Sequence, residues 1–339
     1  VYLAGAQKRI DGYGSLVIKE SRYVREVIIW PFEDDGPRLV QGDAIERGRS
    51  FPLSMPKLEK GSYLIWVTHE NGSFIPYPIH VGHGEQLELE LELPQSIPDG
   101  YAYVPGGPFF FGGDESRFYR LHEKNLPSFF ISKTEVTMEE YLEFWKQLEP
   151  PELRDQYMSR IRFHEQERRY KDAWDTAGNL LDERLKTEYP VVGITLQAAK
   201  AFCEWKSRQL DAGIRLPTAE EWEKAARGVD GRVYVWGNSF ELDQNLTLTK
   251  YNMEGMERFP FWAPPGQFKR DVSVYNAYDM AGNVREMTTT LLPNSEEFHQ
   301  IKGGSASTPQ NFLPCSYSSD TPVVPSDVGF RYIMEIPEQ

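Results

Sequence analysis

The chain has 339 residues, of which 40% are hydrophobic and 13% aromatic, and its formal net charge is −14. This length exceeds what one ordinary hydrophobic core holds, so we expect two domains, and the apolar content excludes a disordered chain. The acidic surplus argues against binding to a nucleic-acid backbone, and no stretch approaches the ~18 continuous apolar residues of a membrane helix.

The chain begins at Val1 and shows no basic region followed by an apolar one that would mark a secretion signal. Because the initiator methionine is missing, we expect further residues upstream in the full-length protein. The two cysteines, Cys203 and Cys315, are too few for a disulfide framework, and the sequence leaves open whether they pair. These features favour a cytoplasmic location only slightly.

Residues 1–97 contain short β-rich runs separated by clusters of Gly, Asp, Asn or Pro. In the last run leucine alternates with glutamate, which predicts one apolar face along a strand. That face consists of Leu87, Leu89, Leu91 and Leu93. The pattern predicts a small, Ig-like, all-β sandwich. The SIPDG segment at 96–100 is the expected linker, and a second domain is expected over 101–339.

From residue 101 onward the pattern becomes α+β, with a few well-marked helices among long loops. Thr137 stands three residues before Glu140, and Thr218 stands three residues before Glu221. Both pairs match a capping box, in which each side chain satisfies a main-chain N–H of the other residue. The two patterns predict helix starts, and Gly228 predicts the end of the second helix.

A third helix is predicted over residues 196–210. Ala199, Phe202, Cys203 and Leu210 fall on roughly one face of it. Cys203 is therefore expected to be a small buried hydrophobic residue.

Seven phrases of the sequence, in order and at consistent spacing, resemble the formylglycine-generating enzyme (sulfatase-modifying factor) family over residues 101–334. The phrases are YVPGGPFFFGGDE, FFISKTEVTMEEYLEF, YPVVGITLQAAKAFCEWKS, RLPTAEEWEKAARG, VYVWGN, YDMAGNVREMT and, last, GGS with VGFR. The resemblance implies a C-type-lectin-like α+β fold with little regular secondary structure. The residues before it resemble β-sandwich modules that in bacteria often join a protein kinase to such a domain.

Catalytic members of this family oxidise a cysteine of a sulfatase peptide with a copper ion held by two thiolates just after the GGS motif. Thiolates suit this role because they are soft ligands that bind Cu(I). Counting from Ser305, the two positions fall at Thr308 and Leu313, and neither is cysteine. Cys315 lies two residues beyond the second position; a loop shift would bring it into one position and leave the other empty. The resemblance therefore predicts a protein without a copper site.

The resemblance also implies a calcium site in YDMAGNVREMT. Its ligands would be the Asp279 carboxylate, the Gly282 and Val284 carbonyl oxygens and the Glu286 carboxylate. Two carboxylates and two main-chain oxygens suit a hard cation such as Ca²⁺. The alternative is a capped turn without a metal. Arg285 and Met287 stand where the family has aromatic residues, and Arg285 could weaken the site by pairing with a carboxylate.

The sequence favours a non-catalytic binding or scaffolding domain, a pseudoenzyme, within a larger bacterial signalling or effector protein. Its partner would be a protein or peptide, bound through the 306–328 loop, since loops carry specificity on rigid scaffolds. The candidate contact residues are Thr308, Asn311, Phe312, Cys315 and Tyr317. Phe259, Phe261 and Trp262 are further aromatic candidates. For these three, as for Phe312 and Tyr317, packing in the interior is an equally good interpretation.

Two alternatives stay open at the level of sequence. In the first, the chain is an enzyme with altered chemistry that uses Cys315 as a lone nucleophile or redox thiol. That requires an exposed sulfur with a lowered pKa, and neither Pro314 nor Ser316 beside it supplies a cation. In the second, the chain is a purely structural subunit.

Overall fold

The computed structural model describes residues 12–19, 21–36, 38–162, 169–240, 262–308, 310–320 and 326–336. By contact the chain divides into two compact units, Val1–Asp35 with Leu39–Ser96, and Gly36–Arg38 with Ile97–Gln339. Among the described residues, no helix is both long enough and apolar enough to cross a membrane.

The first unit is all-β. Its strands are β1 (Tyr13–Ile18), β2 (Val24–Asp35), β3 (Arg38–Gln41), β4 (Glu46–Gly48), β5 (Leu53–Glu59), β6 (Gly61–His69), β7 (Phe74–Val81) and β8 (Gln86–Leu89). They form one sheet in the order β5-β1-β8 and a second in the order β3-β2-β6-β7, with β4 also paired to β2. Core side chains from both sheets are fully buried, among them Leu16, Ile18, Val27, Ile29, Ile65 and Val67. The all-β prediction for this region is thus confirmed.

The strand formed by the leucine–glutamate run is shorter than predicted. The strand β8 ends at Leu89, and it pairs parallel to β1, whose last residue is Ile18. Beyond that point the partner strand has ended, and the Leu91 N–H donates to the Ser21 hydroxyl instead, at 2.7 Å. Leu91 and Leu93 are still buried, so the apolar face continues without a ladder.

The second unit mixes short strands with helices. Its elements are β9 (Tyr101–Val104), β10 (Gly107–Phe111), β11 (His122–Leu126), β12 (Phe129–Ser132), α1 (Met138–Lys146), α2 (Glu152–Gln156), β13 (Arg160–Ile161), β14 (Lys171–Asp172), α3 (Leu196–Leu210), β15 (Ile214–Arg215), α4 (Ala219–Arg227), β16 (Arg285–Leu291), β17 (His299–Lys302), β18 (Ser318–Ser319), β19 (Val328–Gly329) and β20 (Ile333–Glu335). Two four-stranded sheets have the orders β15-β20-β12-β9 and β18-β17-β16-β19. This is the predicted α+β pattern with long connections.

The predicted helix ends are confirmed. Thr137 and Glu140 form the capping box of α1, and Thr218 and Glu221 form that of α4. Gly228 caps α4 with φ +75°, a value that favours glycine. On α3, Cys203 is 2% exposed and belongs to the buried face, as predicted.

A hydrophobic cluster under α4 supports the loops that follow β17. Its buried members include Trp222, Ala225, Ala226, Met280, Ala281, Leu313 and Cys315. Trp222 on α4 also donates from Nε1 to the Glu286 carboxylate of β16, at 2.7 Å. The cluster therefore supports the region after the GGS motif, whose residues Leu313 and Cys315 pack into it.

Candidate functional site

The GGS turn packs too closely for any residue but glycine. A Cβ atom on Gly304 would lie 2.6 Å from Leu313 Cδ2 and 2.8 Å from the Ala281 carbonyl oxygen. Gly303 has φ +75°, and a Cβ atom there would press on the Trp222 ring at 3.2 Å. The two glycines thus bring the main chain directly onto the hydrophobic cluster.

The residues at the two positions implied for copper do not fit that metal. The Thr308 hydroxyl accepts from the Ser305 N–H at 2.7 Å and donates to the Ser305 carbonyl oxygen at 3.1 Å, which closes a turn. Leu313 is 1% exposed and offers no ligating atom. These side chains hold the loop by a hydrogen-bonded turn and by apolar packing.

Cys315 lies in the interior. It is fully buried in the hydrophobic cluster, and its main-chain N–H donates to the Val233 carbonyl oxygen at 2.8 Å. Burial raises the pKa of the thiol to about 12; the nearby Arg227 lowers the pKa and Glu223 raises it, each by less than burial does. The prediction that Cys315 and Thr308 face a ligand is therefore corrected, because both side chains support the loop from within, Thr308 being only 6% exposed.

A buried ionic network lies near this cysteine. The Glu223 carboxylate accepts from Arg227 Nη1 at 2.7 Å and from Lys302 Nζ at 2.9 Å. It also accepts from the Gly112 N–H at 2.8 Å. The side chains of all three charged residues are at most 2% exposed. One carboxylate thus holds two buried cations, one on α4 and the other on β17, a relationship that the sequence did not predict.

Three of the predicted contact residues lie at the surface. Asn311 is exposed, while Phe312 and Tyr317 are half-buried with their ring centroids 4.5 Å apart and their planes at 47°. Nearby in sequence, Asp320 is exposed and pairs with Arg117 at 3.4 Å. Tilted rings at this distance form a favourable aromatic pair that still presents ring surface to solvent.

Of the remaining aromatic candidates, Trp262 is the one that the structure describes. Trp262 is 4% exposed, so packing is the correct interpretation for it. Phe259, Phe261, Pro309 and residues 321–325 lie outside the described residues.

Asp279 and Glu286, the two carboxylates implied for calcium, lie in a buried acidic cluster with Glu135 and Asp271, all at most 2% exposed. Burial, followed by the neighbouring Asp271, raises the pKa of Asp279 to about 7. Burial, followed by Asp279, raises the pKa of Glu135 well above its usual range. One oxygen of Glu135, Oε2, has no hydrogen-bond partner among the described residues. Arg331 pairs with Glu286 in this cluster, while burial and the neighbouring carboxylates make Glu135 and Asp279 bind protons more tightly than free carboxyls do.

Glu286 is fully engaged within the protein. Both of its oxygens accept from Arg331, at 2.6 and 2.7 Å, and one accepts from Trp222 Nε1 as well. Glu286 is therefore not free to coordinate a divalent cation, and a cation beside Asp279 would compete with protons for that carboxyl. Within the described part of the chain, no three His, Cys, Asp or Glu side chains converge as metal ligands.

The chain is similar in sequence to several known proteins. The family model for the "Sulfatase-modifying factor enzyme 1-like domain" matches residues 90–336. The chain is 30% identical over 243 residues to the inactive C-alpha-formylglycine-generating enzyme 2 of Mus musculus, covering 63% of this chain and 77% of that protein. It is 27% identical over 302 residues to the uncharacterized protein YfmG of Bacillus subtilis, covering 74% of this chain and 59% of that protein.

A third relative, the serine/threonine-protein kinase Pkn1 of Chlamydia trachomatis, is 28% identical over 203 residues, which is 59% of this chain but 29% of the kinase. Among solved structures, PvdO from Pseudomonas aeruginosa matches with a TM-score of 0.55 at 19% identity, covering 70% of this chain and 94% of PvdO. The Treponema denticola variable protein 1 matches with a TM-score of 0.52 at 18% identity, covering 69% and 94%. At these identities the structural matches establish the fold alone.

Proposed function

The chain belongs to the sulfatase-modifying factor enzyme 1-like family, and from that premise we propose that it is a non-catalytic member that binds a protein or peptide partner. One observation carries the proposal: the GGS glycines pack onto the hydrophobic cluster, while the two positions that the resemblance implies for the copper thiolates hold Thr308 and Leu313. Thiolates are what copper(I) requires, and the one nearby thiol, Cys315, is sealed in the core. The inactive mouse relative is consistent with this role.

The proposed binding surface consists of Asn311, Phe312 and Tyr317. Aromatic side chains supply contact area at a low cost in conformational entropy, and an exposed amide supplies both a hydrogen-bond donor and an acceptor. An apolar side chain of a bound peptide would pack on the Phe312–Tyr317 pair. The main chain of the peptide would form hydrogen bonds with the side-chain amide of Asn311.

The double change Phe312→Ala and Tyr317→Ala tests the surface. Peptides are selected on the wild-type chain from a random display library, and the Kd of a synthetic selected peptide is then measured by fluorescence anisotropy. We expect the double variant to lose more than roughly tenfold in affinity, because aromatic side chains dominate binding energy at such surfaces. Phe298→Ala is the matched control, since Phe298 is an exposed aromatic residue immediately before β17.

Two results would count against the proposal. Equal affinity of the double variant and the wild type would place binding elsewhere. Conversion of a cysteine-containing sulfatase peptide to the aldehyde by the copper-treated chain would show that the protein is catalytic.

We propose, further, that the domain works within a larger signalling protein. The support is the similarity to Pkn1, which is named as a serine/threonine-protein kinase and of which this chain spans 29%. A binding domain attached to a kinase would bring a protein substrate or regulator to it.

A calcium ion near Asp279 is a second proposal. It rests on the buried acidic cluster and on the carbonyl oxygens of Gly282 and Val284, which the family resemblance implies as ligands. We expect calcium to raise the melting temperature relative to the chelator-treated protein. At a hundredfold excess over Kd the gain would be about 3 kcal/mol, or roughly 5 to 10 °C for a unit of this size.

In this experiment Asp279→Asn should abolish the calcium-dependent gain, and Asp172→Asn, on the exposed strand β14, should retain it. Identical melting curves with calcium and with chelator would overturn the proposal.

A further inference from the structure

The carboxylate of Asp327, the residue just before β19, accepts four hydrogen bonds from side chains. Its Oδ1 accepts from Arg285 Nη2 at 2.8 Å, and its Oδ2 accepts from Arg285 Nε at 3.2 Å. The same Oδ2 accepts from the Ser305 hydroxyl at 2.7 Å and from the Ser307 hydroxyl at 2.9 Å. Burial acts to raise the pKa of this carboxyl, but Arg285 and the two hydroxyls outweigh burial and lower it. The carboxylate is therefore charged and its acceptor positions are taken by the protein.

These bonds, together with two more from Arg285, join four segments. The Arg285 main-chain N–H donates to the Asp327 carbonyl oxygen at 2.9 Å, and Arg285 Nη1 donates to the Ser319 hydroxyl at 3.1 Å. Arg285 thus ties β16 to the residues before β19 and to β18. Through the two serines, Asp327 adds the turn that follows the GGS glycines. The same turn is closed from within by Thr308, as described above.

We propose that Asp327 is a positioning residue of the binding surface: with Arg285, Ser305 and Ser307 it forms a latch that holds the 305–308 turn in one conformation. The significance of the latch for binding rests on the proposed function, because the turn comes shortly before Asn311 and Phe312 in the sequence and the Phe312 ring contacts that of Tyr317. Asp327 itself acts through the turn and contacts no partner.

The physical reason is preorganisation. A loop that is already ordered loses less conformational entropy when a partner binds, and the saved entropy appears as affinity. A charge-assisted, bidentate arginine–carboxylate contact is the strongest kind of hydrogen bond available to hold such a loop. The residues of the latch are separated by up to 42 positions in the sequence. The latch therefore holds together segments that no local interaction would keep in contact.

The test is amide hydrogen exchange of the full chain, read on a peptide that covers residues 303–308. In Asp327→Asn, the loss of the charged acceptor should speed exchange there roughly tenfold to hundredfold. Asp182→Asn is the matched control, because Asp182 holds Arg184 with the same bidentate geometry, at 2.8 and 2.6 Å. Peptides from α3 should exchange at the wild-type rate in both variants.

A milder variant guards against unfolding. Ser307→Ala removes one of the four bonds, keeps the Arg285–Asp327 pair and leaves the main-chain N–H of residue 307 donating to the Ser305 hydroxyl. Its exchange should therefore rise by less than that of Asp327→Asn. If α3 is perturbed in Asp327→Asn, the decision rests on Ser307→Ala.

The same variants are then tested with the display-selected peptide. Faster exchange with weaker peptide binding, while Phe312 and Tyr317 are intact, supports the proposal. Wild-type exchange at 303–308 overturns the latch and leaves the proposed function standing. Faster exchange with unchanged affinity overturns the positioning role. Failure of the Phe312 and Tyr317 changes to weaken binding overturns the proposed function, and the latch is then judged on exchange alone.

Discussion

Cys315 is expected to resist thiol reagents in the folded protein by a very large factor. Burial raises the pKa of its thiol to about 12. Each pKa unit costs a factor of ten in thiolate, so three units above an ordinary thiol leave on the order of a thousandfold less thiolate at neutral pH. Full burial adds a steric barrier to the reagent. Labelling with an aromatic disulfide at neutral pH should therefore be negligible until the protein unfolds.

The experiment has internal controls. Cys203, 2% exposed, should be equally protected, since burial raises the pKa of its thiol to about 12 as well. Asn311→Cys places a thiol on the exposed part of the same loop and should react at the rate of a free thiol. In denaturant, both native cysteines should react fully.

The result decides between two functions. Rapid, stoichiometric labelling of Cys315 in the folded chain would revive the interpretation that it is a lone nucleophile or redox thiol. Protection of Cys315 together with a reactive Asn311→Cys removes that interpretation, because a nucleophile has to reach its substrate.

The parts of the fold that follow from local patterns could be predicted from the sequence. The capping boxes at Thr137 and Thr218 depend on residues three positions apart, and so does the buried face of α3. The GGS glycines could be located from the motif, and their close approach to Leu313 and Trp222 explains why no larger residue fits.

The parts that depend on distant residues could not be predicted. Nothing near Cys315 in sequence shows that it joins a core built by α4, and the exposed-loop prediction for it failed for that reason. In the sequence, Glu286 looks available as a calcium ligand. Arg331, the residue that occupies both of its oxygens, lies 45 positions away and so gives no local sign of the pairing. Arg285 departs from the family pattern in the sequence itself, whereas its pairing with Asp327, 42 positions away, is evident only from the structure.

Glu223→Gln is expected to destabilise the second unit more than any other single change considered. The substitution keeps the size of the side chain and removes the negative charge that Arg227 and Lys302 share. Breaking a buried ion pair by removing one partner costs about 3 to 5 kcal/mol, because the remaining charge stays buried without compensation. Here two cations would be left, so we expect the upper part of that range.

The measurement is chemical or thermal unfolding of the full chain, with the far- and near-ultraviolet circular dichroism followed together. For a unit of this size a loss of about 5 kcal/mol corresponds to a drop of roughly 10 to 20 °C in melting temperature. Glu335→Gln is the matched control, since it makes the same change in an exposed pair: Arg215 lies 2.7 Å from Glu335, which is 57% exposed. Surface pairs of this kind contribute about 0 to 1 kcal/mol.

Equal effects of the two changes would mean that water reaches the Glu223 network and that it is not a buried charge cluster. A large effect of Glu223→Gln alone, accompanied by labelling of Cys315, would also show why the cysteine is protected. The network lies beside that thiol and keeps β17 and α4 together. The Glu223 network and the Asp327 latch would then be two separate supports of the same surface, one set by α4 and the other by Asp327.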